Sequence, residues 1–167
     1  MRPFFFGGQR RLYGALHEPK GAQKSTGVLL CYPGVQEYNM THWAFRKLAG
    51  LLTREGLPVL RFDYSCSGDS EGEVYDANLE HQVEDIATAA DELKDQTGVR
   101  RVSVVGMRLG ALLATKAVAS GLKVETLVLW EPVLEGRAYV SELERLDADI
   151  CSRRHHRVTE PRVELAG

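Results

Sequence analysis

Val102-Ser103-Val104-Val105-Gly106-Met107-Arg108-Leu109-Gly110-Ala111-Leu112-Leu113-Ala114 is the stretch that decides the fold. An apolar run ends at Gly106, and an Ala/Leu-rich helical pattern starts by Leu109. Gly106 and Gly110 frame a sharp strand-to-helix turn, the spacing of the Gly-x-Ser-x-Gly nucleophile elbow. Glycine suits both positions because the turn is tight and the helix must approach neighbouring strands closely. The middle residue stands at the helix N-terminus, beside backbone N–H groups that can hold an oxyanion. That residue is Arg108, which stays protonated at ordinary pH and cannot attack a carbonyl. It also removes the rival readings. A dinucleotide fingerprint wants glycine at 108, and a phosphate loop wants Gly-Lys-Ser/Thr. Taken alone, Gly106 and Gly110 read equally well as packing glycines.

Working outward, strands and helices alternate. Phe4–Phe6 and Arg11–His17 read as a hairpin around Gly7-Gly8. Gly27–Tyr32 is apolar on both faces, as in a buried parallel strand. Thr41 is the expected cap of a helix whose stripe is Phe45, Leu48, Ala49 and Leu52, stopped by Gly56. Leu57–Asp63 is the next strand, followed by a Ser/Gly/Asp-rich loop, 65–73. Leu79, Val83, Ile86, Ala90 and Leu93 form a second stripe closed by Gly98. The strand Arg101–Gly106 leads into the helix 109–120 and Gly121. Val124–Trp130 is a further strand, and 137–146 a further helix. This alternation predicts a mostly parallel sheet with flanking helices. Ligands then belong at the carboxyl ends of the strands: 32–36, 63–72, 106–110 and 130–133. The strand order cannot be read from pattern alone.

Composition sets outer bounds. The chain has 167 residues, which predicts one domain of about 150 residues. Lys plus Arg is 21 and Asp plus Glu is 23, a net charge of −2, so bulk charge gives no reason to expect a nucleic-acid partner. The three cysteines, Cys31, Cys66 and Cys151, form no CxxC pair. Reduced thiols in a cytoplasm are the simplest expectation. No run has the length of a signal peptide or a membrane span, so neither export nor a membrane partner is expected. No cofactor is called for, and no carboxylate or histidine cluster has metal-ligand spacing, His155-His156 included. Residues 150–167 carry four Arg and two acids and show no stripe. They read as a basic tail, poorly ordered or cut off, behind a domain spanning 1–149.

Four segments resemble the serine-aminopeptidase-like (S33-type) group of α/β-hydrolases. Cys31-Tyr32-Pro33-Gly34-Val35-Gln36-Glu37-Tyr38 is similar to the loop after strand three that supplies one oxyanion-hole N–H. Residues 61–72, R-F-D-Y-S-C-S-G-D-S-E-G, resemble the R-x-D-x-x-G-x-G-x-S-x-G loop after strand four, with Cys66 in place of a glycine. Gly106–Gly110 is the elbow, and 127–139, L-V-L-W-E-P-V-L-E-G-R-A-Y, resembles strand six and its exit. The branch it resembles most is the exosortase-A-system-associated hydrolases, some of which also carry Arg in the elbow. The resemblance implies ester or amide hydrolysis for the family, on an α/β-hydrolase sheet truncated after strand six. It also implies that the acid and histidine, which follow strands seven and eight, have no counterpart here. The strand-six edge would then be exposed and invite dimerisation.

The expected site therefore holds no catalytic residue. Its frame is Gly106, Met107, Arg108, Leu109 and Gly110. Val35, after Gly34, and Leu109 are the expected oxyanion-type N–H donors. A partly desolvated Arg108 needs a carboxylate. Glu131, at the end of strand six, is the first choice, with Glu37 and Asp69 behind it. Left unpaired, Arg108 would instead suit a small anionic ligand. Cys66 with His42 as base is the one substitute nucleophile to consider. The plainer reading is a loop thiol and a helix-start histidine. Ser65, Ser67 and Ser70 read as turn residues bonding local backbone. A fragment with no independent role is the third alternative.

Overall fold

The structure, a computed structural model, describes residues 1–153. Six strands form one sheet: β1 (Arg2–Phe6), β2 (Leu12–His17), β3 (Thr26–Cys31), β4 (Val59–Phe62), β5 (Arg101–Met107) and β6 (Leu127–Trp130). Four helices accompany them: α1 (Val35–Arg54), α2 (Leu79–Thr97), α3 (Leu109–Ala119) and α4 (Gly136–Arg153). The spatial order is β1-β2-β4-β3-β5-β6. β2 runs antiparallel to β1 and β4, and all pairings from β4 to β6 are parallel. The fold is α/β with a mostly parallel sheet, as the alternation predicts.

β3 lies at the centre and is buried from Val28 to Cys31. Its neighbours Leu60, Phe62, Val102 and Val104 complete the apolar layer. α2 packs on β3, β4 and β5 and against α3, while α1 packs on β4 and β2. Two stop signals act as read. Gly98 closes α2 at φ 69, a left-handed value that glycine adopts without strain. Gly56 follows α1 at φ 82.

Most strand boundaries shift by one or two residues from the sequence reading, and α1, β6 and α4 shift by more. α1 starts at Val35 with Gly34 as N-cap, so Thr41 lies inside the helix rather than capping it. Its hydroxyl bonds back to the carbonyls of Glu37 and Tyr38. The apolar stripe continues backwards through His42 and Tyr38, whose polar atoms hide the period. β6 starts at Leu127, not Val124. α4 runs on to Arg153, so the expected break at 149/150 falls within a helix. The remainder of the expected tail, His155-His156 included, lies outside the described residues. β6 is an edge strand, and Val128, Leu129 and Trp130 on it are exposed. No helix among the described residues is long and apolar enough to cross a membrane.

Candidate functional site

The turn between β5 and α3 is tight for a steric reason. A Cβ on Gly106 would stand 2.6 Å from Ala111 Cα, and one on Gly110 would collide with the carbonyls of Cys31 and Tyr32. Both glycines are packing glycines, and the packing is what makes the elbow. Arg108 between them has φ 52 and ψ −118. A side-chain-bearing residue in that region is strained. Its N–H donates to Trp130 O at 3.0 Å, and its carbonyl accepts from Ala111 and Val133. The elbow is thus tied to the exit of β6.

The Arg108 side chain turns toward α4 and α1. Nε donates to Glu37 Oε1 at 2.9 Å, and Nη2 donates to Glu142 Oε2 at 2.6 Å. Tyr139 Oη donates to the other Glu37 oxygen at 2.7 Å, and the guanidinium lies over the Tyr139 ring at 5.3 Å. The Arg108 and Glu37 side chains are only 15% and 16% exposed. Glu142 first, then Glu37, hold the guanidinium even more firmly protonated than usual. Burial, then Glu37, raises the Tyr139 phenol above its ordinary value, so it stays a donor.

Glu131 is not the main partner. Its nearest oxygen is 3.6 Å from Arg108 Nη1, too long for a hydrogen bond, and its side chain is 67% exposed. The turn at φ 48 carries Glu131 outward before Pro132. Asp69 is not in the cluster at all. Its backbone N–H bonds Asp63 Oδ2 across the loop after β4. The sequence reading missed Glu142 and Tyr139. Their i, i+3 spacing on α4 puts them on one helical face, which is the signal that marks them.

A cavity of about 420 Å³ lies on the other side of the elbow. Gly34, Tyr38, Asp63, Cys66 and Leu109 are among its walls, and Arg108 is not. A Cβ on Gly34 would come within 2.6 Å of Leu109 Cδ2, so the two loops touch where an oxyanion pocket is expected. Val35 and Leu109 are the first residues of α1 and α3, and first-turn N–H groups have no partner within their helix.

Cys66 and His42 do not meet. Cys66 lines this cavity, while His42 lines a separate one and packs against the rings of Tyr32, Tyr38 and Trp43. Burial, reinforced by Asp76 and Asp85, raises the Cys66 thiol, the opposite of activation. Ser70 bonds local backbone as expected, donating to Asp63 O at 2.7 Å. Ser65 does not, because its hydroxyl reaches the buried Asp85 of α2 at 2.7 Å. Among the described residues no group of three or more His, Cys, Asp or Glu is arranged to hold a metal ion.

With this geometry in view, comparison with known proteins places the chain. The family described as serine aminopeptidase, S33, matches residues 23–165, and the chain belongs to it. An α/β serine hydrolase homologue from Coxiella burnetii is 26% identical, with a TM-score of 0.63, over 77% of this chain and 61% of that one. A lidless α/β serine hydrolase from Xanthomonas campestris shares 21% identity at a TM-score of 0.65, over 77% of this chain and 59% of its own. A proline iminopeptidase from Mycobacterium smegmatis shares 16% at 0.66, over 89% of this chain and 50% of its own. The chain therefore spans 50% to 61% of the length of these structures. No curated protein sequence matches it.

Proposed function

We propose that this chain is an S33-type hydrolase-fold protein without serine-hydrolase chemistry at its elbow, where a structural ion-pair network has replaced the nucleophile. The observation that carries this reading is the Arg108 side chain. It is permanently charged, cannot attack a carbonyl, and is already held by Glu37 and Glu142. With Glu131 nearby, three carboxylates surround one guanidinium, so the cluster is net negative. The competing reading is a small anionic ligand at Arg108, and such a ligand would have to displace Glu37 or Glu142. Within the family, the Arg-bearing elbow and the exit motif 127–139 favour the exosortase-A-system-associated branch. The three free cysteines favour a cytoplasmic setting. The exposed apolar β6 edge supports a dimer through that strand.

Labelling with a fluorophosphonate probe tests the reading, and no stoichiometric adduct on any serine is expected. An adduct lost on changing Ser65, Ser67 or Ser70 would overturn it and identify the replacement nucleophile.

A further inference from the structure

Arg61 of β4 is 5% exposed, yet it makes no ion pair among the described residues. Its acceptors are all neutral. Nε donates to His17 Nε2 at 3.0 Å, Nη1 to Tyr32 Oη at 2.6 Å, and Nη2 to Met1 Sδ at 3.5 Å. A guanidinium carries five N–H donors, and a thioether is a weak acceptor. One N–H on each terminal nitrogen is thus left without a protein acceptor among the described residues, and a third is spent on sulfur. A buried cation so poorly matched is costly. Asp63, two residues on, is committed elsewhere: Oδ1 to the Tyr38 hydroxyl at 2.8 Å and Oδ2 to the Asp69 N–H at 3.0 Å.

Arg61 borders a cavity of about 260 Å³. Tyr13, Tyr32, Tyr38 and Phe62 give it ring walls, and Arg46 and Asp69 are charged members of the lining. A water molecule takes about 30 Å³ in the liquid, so the space suits a molecule of several heavy atoms. It is separate from the elbow: neither Arg108 nor Leu109 lines it, and the Tyr38–Asp63 hydrogen bond is part of the wall it shares with the larger cavity.

We propose that this cavity binds a small monocarboxylate, whose oxygens take the two terminal nitrogens of Arg61 in place of the Met1 thioether. A planar guanidinium matches a carboxylate with two parallel N–H···O bonds. The ring walls accept a short apolar body. Arg46 adds a second positive charge, while Asp63 and Asp69 disfavour anions carrying more than one charge.

Methionine methyl resonances test this directly, because the chain has only three methionines, Met1, Met40 and Met107. The intact protein, labelled with 13C at those methyls, is titrated with propionate and, separately, with propionamide at matched ionic strength. The Met1 signal shifts saturably with propionate, with half-saturation at roughly millimolar concentration, and does not respond to propionamide. Arg61→Lys keeps the charge but loses the fork, and weakens binding at least about tenfold. Absence of a saturable Met1 shift overturns the proposal, as does an equal response to propionamide. Both are read on the unaltered chain, so a variant that fails to fold leaves the decision intact.

Discussion

Glu37 and Arg108 lie 71 residues apart in sequence, and their side chains meet at 2.9 Å. The pair joins the first turn of α1 to the elbow, and Tyr139 and Glu142 extend the link to α4. The residue at the centre of the β5–α3 elbow thereby holds three segments together. Both side chains are mostly buried, so each would be left poorly solvated without the other. A double-mutant cycle with Arg108→Met and Glu37→Gln, read by urea unfolding, is expected to give a coupling of about 2 kcal/mol. The same cycle with Glu131→Gln should give less than about 0.5 kcal/mol, because that partner is solvated and distant. Equal couplings would show that the contacts at Arg108 are not ordered as described.

Arg108 also carries backbone strain, and this separates from its ion pairs. Arg108→Ala and Arg108→Gly lose the same guanidinium contacts, but only glycine relaxes at φ 52 and ψ −118. Both variants should be less stable than the parent. Arg108→Gly should retain about 1 kcal/mol more than Arg108→Ala, despite the extra chain entropy glycine brings to the unfolded state. Thermal unfolding of the two variants side by side measures the difference. An alanine variant as stable as the glycine variant would mean the turn is not strained.

Much of this fold is legible in the sequence, and the illegible parts have physical causes. The stripes of α2 and the apolar runs of β3 and β5 declare themselves because burial on defined faces imposes a period. Gly56 and Gly98 declare their helix ends because their left-handed φ values need glycine. The start of α1 is hidden because Tyr38 and His42 pack their rings while showing polar atoms to any hydropathy pattern. The partner of Arg108 is hidden because three glutamates compete for it. Only the turn at Glu131 and the placement of α4 decide among them. The His17–Arg61 contact is invisible for the same reason, since β2 and β4 pair across 44 residues of chain.

Cys66 occupies a position where the family loop has glycine, and its φ is 62. A Cβ there costs roughly 1–2 kcal/mol. Cys66→Gly is therefore expected to stabilise the protein by up to about 1 kcal/mol after the entropy cost of glycine in the unfolded chain. The unsubstituted thiol should alkylate with iodoacetamide more slowly than a free thiol at pH 7.5, because burial and nearby carboxylates raise its pKa. Rapid alkylation at neutral pH would contradict that environment.

His17 provides a pH test of the buried cluster on β2 and β4. Its side chain is largely buried, and Nε2 accepts a hydrogen bond from Arg61 Nε, which requires the neutral imidazole. Burial first, then the charge of Arg61, pushes its pKa down from 6.5 to about 4. The unfolded chain therefore binds a proton below about pH 6.5, while the folded chain resists until about pH 4. Between those values the unfolded state holds more protons, so stability falls as the pH falls. Well above pH 6.5 neither state is protonated and the contribution is complete. Below about pH 4 both are protonated and the slope from this residue vanishes. The gap limits the loss to about 3 kcal/mol. Carboxylates also titrate in this range, so the decisive measurement is a comparison with His17→Gln, whose amide oxygen can still accept from Arg61 but does not titrate. Urea unfolding at intervals from pH 7 to pH 4 should show a shallower decline for the variant. Identical slopes would mean that His17 is not held neutral against Arg61.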